Sequence, residues 1–71
     1  MQPYDVALWL TWPALFPEYV EVVAAVSPFD AAQMLMQAHG ITRVAHAAVA
    51  HEGVIKRWSF LKLVSEVIQE G

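Results

Sequence analysis

The tetrapeptide Ser27-Pro28-Phe29-Asp30 constrains this chain more than any other stretch. A serine side chain accepts from the free amides of a helix's first turn, proline suits the first helical position, and an acid in that turn meets the positive end of the dipole. A helix is therefore predicted from Ser27 to about His39, with Gly40 as the residue that closes it. Placed at 100° per residue, Asp30, Gln33 and Gln37 form its one polar stripe, with Ala32, Leu35 and His39 nearly opposite. The flanks, Met34 above all, are apolar enough to touch something besides one sheet face.

On either side of this helix the period is two. Tyr4, Val6, Leu8 and Leu10 alternate with Asp5, Ala7 and Trp9, which predicts a strand with Trp9 on the face opposite the other set. In Tyr19 to Val26 one face carries Val20, Val22, Ala24 and Val26 and the other Tyr19, Glu21, Val23 and Ala25, so the two segments read as an antiparallel hairpin. The alanines of Ile41 to Ala50 suit a helix. Ile41, Val44, Val49 and the preceding Gly40 favour a strand, as does a hairpin connection at His51-Glu52-Gly53 leading into Val54 to Trp58. From Ser59 the spacing of Phe60, Leu61, Leu63, Val64, Val67 and Ile68 follows i, i+3, i+4, i+7, and predicts a second helix to Gly71 with Lys62, Ser65, Glu66, Gln69 and Glu70 facing away. The expected fold is one small α+β domain over residues 1–71, a small antiparallel sheet in ββαββα order with both helices packed mainly on one face.

Composition bears on what such a domain leaves uncovered. Of 71 residues 58% are apolar, and only four Lys and Arg and seven Asp and Glu are charged. A chain of this size exposes roughly 4,400 Å² when folded. So few charges cover that area thinly, and apolar surface is expected to be hidden in a partner, either a second copy or a larger protein assembly. With no cysteine, disulfides and thiolate metal sites are excluded, and the cytoplasm is the default compartment. The opening MQPYD has no basic n-region and does not read as a secretory leader. No apolar run reaches the roughly 18 to 20 residues of a membrane span.

Little in the sequence points to chemistry. His39, His46 and His51 are spaced seven and five apart, which suits a shared metal on neither strand nor helix. The best-placed hydroxyls, Ser27 and Ser59, have capping roles, no carboxylates pair in an enclosed setting, and Gly40, Gly53 and Gly71 are isolated, so no loop cradles a phosphate. No catalytic residue, metal or cofactor is expected. Lys56-Arg57-Trp58 has the minimal vocabulary of nucleic-acid contact, but a net charge of −3 opposes it, and strand alternation splits Arg57 from the other two.

The segment WLTWPALFPEYV, residues Trp9 to Val20, concentrates half of the aromatics in one connection. Two readings stay open: Trp12, Phe16 and Tyr19 fold inward over one end of the core, or Pro13 and Pro17 stiffen the segment and present Trp12, Leu15 and Phe16 as anchors. In the second, one sheet face is covered by helices and Trp9, Tyr19, Val23 and Ala25 leave the other too apolar for water. The expected function is a non-catalytic protein–protein interaction module, a homo-oligomer or small accessory subunit of a larger complex. Its contacts would come from Trp9, Trp12, Leu15, Phe16, Tyr19, Val23 and Met34. The alternative is a small nucleic-acid-binding or regulatory protein using Lys56, Arg57 and Trp58.

Overall fold

The structure, a computed structural model, describes residues 1–64. Strand β1 (Gln2–Trp9) and strand β2 (Tyr19–Ala25) are followed by helix α1 (Pro28–Ala38), then strands β3 (Arg43–His51) and β4 (Val54–Lys62). All neighbours are antiparallel in a single four-stranded sheet ordered β2-β1-β3-β4. β2 and β3 therefore run parallel with β1 between them, and α1 is the crossover that carries the chain over β1. Such a crossover lays its helix on the sheet, and α1 covers one face over β2, β1 and β3.

Local chemistry explains the element ends. Ser27 Oγ accepts from the Asp30 amide at 3.1 Å, and Pro28 opens the helix. His39 caps the other end and Gly40 follows at φ +67°, a left-handed conformation that disfavours a side chain. The β3–β4 hairpin turns on Glu52 (φ +49°) and Gly53 (φ +81°), two consecutive left-handed residues between the paired His51 and Val54, as a tight primed turn requires.

The core lies between α1 and the sheet. Tyr4, Val6 and Leu8 of β1 and Ala47 and Val49 of β3 meet Ala31, Ala32, Leu35 and Met36 of the helix. Leu8, Val6, Val49 and Met36 are the largest side chains fully enclosed.

The predicted second helix is not present at its start: residues 59–62 are strand, with Ser59 opposite His46, Leu61 opposite Val44 and Lys62 opposite Arg43. The order is ββαββ, four strands and one helix, rather than ββαββα. The reason is a shift in the pleat. Phe60 sits at φ +54°, and across it the inward-facing residues change phase: Trp58 packs against the core from one side of the shift, Leu61 and Leu63 from the other. β3 shifts with its partner, so that Val44 and Ala47, three apart, are both core residues. Leu61 and Leu63 face the core at a strand's spacing of two, and it was the exposed apolar Phe60 and Val64 beside them that completed the imitation of a helix. The remainder of that predicted helix, residues 65–71, lies outside the described residues.

A second correction follows from the same strand end. Gln33, one of the predicted polar stripe, is buried: its Nε2 donates to the Lys62 carbonyl at 2.9 Å and its Oε1 accepts from the Val64 amide at 2.8 Å. The side chain thus pairs with the backbone as a neighbouring strand would, and ties the end of β4 to the helix.

Candidate functional site: the open sheet face and the β1–β2 connection

Among the described residues no element covers the second face of the sheet. The pairing registers fix what it presents. Trp9, His46 and Ser59 form one row, Val20, Ala7, Ala48 and Arg57 the next, and Val22, Asp5, Ala50 and Ile55 the third. Alanines at the centre and larger side chains at the sides make a shallow trough of about 290 Å³, floored by Ala7, Ala48 and Ala50 and walled by Trp9, Val20 and Ile55. Its lining includes two charged side chains, Asp5 and Arg57. A solvated sheet face normally alternates to polar residues. Here Val20, Val22 and Ile55 are instead more than half exposed, at 65%, 68% and 54%.

Trp9 stands at one end of the trough, edge-on to His46 with ring centroids 5.1 Å apart. Its indole Nε1 is buried without a hydrogen-bond partner. Arg57 Nη1 lies 3.4 Å from His46 Nε2, and since a guanidinium only donates, that nitrogen is the acceptor.

The connection between β1 and β2 is closed at its base, where Leu10 donates its amide to Glu18 Oε1 (2.7 Å) and the Glu18 amide donates to the Leu8 carbonyl (2.8 Å). Above that clasp Trp12, Leu15 and Phe16 are 65%, 73% and 82% exposed and take no part in the core cluster. They do not fold inward over it. Trp12 instead lies beside the exposed ring of Phe60, with centroids 6.1 Å apart. Phe60 was missed by sequence reasoning because it was assigned to the core face of a helix.

The faces of β2 are the reverse of those expected. Tyr19 pairs with Leu8 and Val23 with Tyr4, so both sit on the helix side and pack against the core, while Val20, Val22 and Ala24 occupy the open face. Alternation cannot choose between two apolar sets. Glu21, the one charge in the segment, sits at the rim of the helix side, where its Oε2 lies 2.7 Å from His39 Nε2, and His39 in turn stacks on Tyr19 at 4.2 Å. Met34 is on the exposed side of α1, away from the open sheet face.

Lys56, Arg57 and Trp58 are split between the two faces of β4, yet all three border one groove where α1 begins. Lys56 and Trp58 pair with Val49 and Ala47 on the helix side, Arg57 with Ala48 on the open face. Trp58 packs on the core and meets Phe29 edge-on at 5.9 Å, beside a groove of about 320 Å³ where α1 begins. The histidines are likewise dispersed: His39 meets Glu21, His46 meets Arg57, and His51 donates from Nδ1 to the Pro3 carbonyl at 2.8 Å. Among the described residues no three metal-ligating side chains gather, and no helix is long and apolar enough to cross a membrane. Compared with protein-family models, with curated proteins and with solved structures, the chain matches none.

Proposed function

We propose that this chain is a protein–protein interaction module with no catalytic chemistry of its own, working as a homo-oligomer or as a small accessory subunit. Its contact surface is the open face together with the β1–β2 connection. The observation that carries this reading is the alanine-floored trough between Val20, Ile55 and Trp9, an apolar concavity on a face where a free-standing sheet would be polar. Trp12, Leu15 and Phe16 supply the complementary feature, large exposed side chains on a clasped, proline-bearing segment, so that little freedom is lost on contact.

The test places a charge on the trough floor without touching the core. Ala48→Glu, with Trp12→Ala as a second variant, is expected to keep the wild-type circular dichroism spectrum and melting behaviour. Each should weaken association through this face, with an isolated partner or with a second copy seated on it, by at least about tenfold. If both variants associate as the wild type does, this surface is not the interface.

A further inference from the structure

We infer that β2 is a self-pairing edge: two copies of the chain join β2 to β2 antiparallel about a two-fold axis at Val22, making one continuous eight-stranded sheet. This goes beyond the open-face reading, because an edge-paired dimer leaves that face bare.

The two edges of the sheet differ in kind. β4 carries Lys56, Arg57 and Lys62, and its backbone departs from regular strand geometry at Phe60, which is how natural sheets discourage pairing. β2 has none of these devices. Its seven residues, YVEVVAA, contain no proline, glycine or lysine, and its one charged side chain, Glu21, is drawn toward His39. Among the described residues no element covers its outer side.

Backbone direction gives the pairing its register. The Pro3 carbonyl accepts from His51 Nδ1 and so points to the β3 side of β1. By strand alternation Tyr4, Val6 and Leu8 turn toward β2 and bond Val23, Glu21 and Tyr19, their partners in the ladder. The N–H and C=O groups of Val20, Val22 and Ala24 then point out of the sheet, unpaired by β1. Residues directly opposite in an antiparallel pair must share a sheet face. Full overlap of Tyr19–Ala25 with its copy satisfies this: Val22 meets Val22 of the second copy, Val20 meets Ala24, and Glu21 meets Val23. A register centred one residue earlier would set Glu21 against itself, a destabilising like-charge pair. The full-length register thus also keeps the two carboxylates from facing each other, and it brings outward amides opposite outward carbonyls.

The absence of cysteine makes the test direct. Hydrogen-bonded antiparallel partners have Cα atoms about 5.5 Å apart, within reach of a disulfide. Under mild oxidation Val22→Cys is expected to cross-link to a covalent dimer. Val20→Cys and Ala24→Cys, each roughly 14 Å from its own copy in this register, are expected to remain largely uncrosslinked. Val22→Pro removes an amide that the monomer does not use, a substitution that an edge strand accepts, and is expected to keep the fold while weakening the dimer at least about tenfold. A monomeric wild type, equal cross-linking at all three positions, or a dimer indifferent to Val22→Pro overturns edge pairing. A dimer lost in Ala48→Glu but kept in Val22→Pro overturns it and leaves the open-face reading standing, whereas loss in Val22→Pro alone supports the edge.

Discussion

Replacing Gln33 with alanine should be among the most damaging single changes away from the apolar core. Its amide makes two hydrogen bonds of 2.9 and 2.8 Å, to the Lys62 carbonyl and from the Val64 amide, and both are partly buried. A neutral hydrogen bond contributes about 1 kcal/mol net, and each backbone group left without a partner adds a desolvation cost, so Gln33→Ala should lose roughly 2–4 kcal/mol. A domain of this length is stable by only about 4–10 kcal/mol. The loss corresponds to a fall in melting temperature of roughly 8–32 °C, read by circular dichroism and checked by urea denaturation. Gln37, one turn on and exposed, is the control: Gln37→Ala should fall within about 0.5 kcal/mol of the wild type, since alanine is also a good helix former. Gln33→Glu should destabilise at least as much as the alanine variant, because a carboxylate cannot donate to the Lys62 carbonyl. If Gln33→Ala melts with Gln37→Ala, the clasp between α1 and the end of β4 does not exist as described.

Phe60 combines a left-handed backbone with an exposed side chain, so Phe60→Gly should be neutral or stabilising by up to about 1 kcal/mol in chemical denaturation, despite losing the ring beside Trp12. Leu8 is fully enclosed, and Leu8→Ala should cost about 2–5 kcal/mol by the same assay, a large share of the domain's stability. Ser27→Ala removes the oxygen that meets the Asp30 amide and should cost about 1 kcal/mol.

Where one physical signal dominated, residues and structure agree. The Ser27-Pro28 cap, the left-handed Gly40, the alternation in β1 and the turn at Glu52-Gly53 each depend on chemistry within a few residues, and each lies where local rules put it. What escaped depended on partners distant in sequence. The faces of β2 were set by which of two apolar sets β1 and α1 would cover, and Glu21 was brought to the helix side by His39, eighteen positions away. The end of β4 was set by pairing with β3 and by Gln33; Leu61 and Leu63 keep a strand's spacing of two, and the exposed apolar Phe60 and Val64 beside them completed a helical pattern. The site was accessible to a similar degree. Trp9 could be placed on the open face and Trp12, Leu15 and Phe16 are exposed, but Tyr19 and Val23 are not on that face, and Val20, Val22 and Ile55 take their place.

One quantity bears on this surface above the others, the mass of the chain in solution. Light scattering behind size exclusion over a hundredfold range of concentration should find a species of about twice 7.9 kDa that persists at the lower end. That dimer should give way to monomer in Val22→Pro. A wild-type mass of 7.9 kDa at every concentration would contradict self-association and remove the second copy as the occupant of the β2 edge.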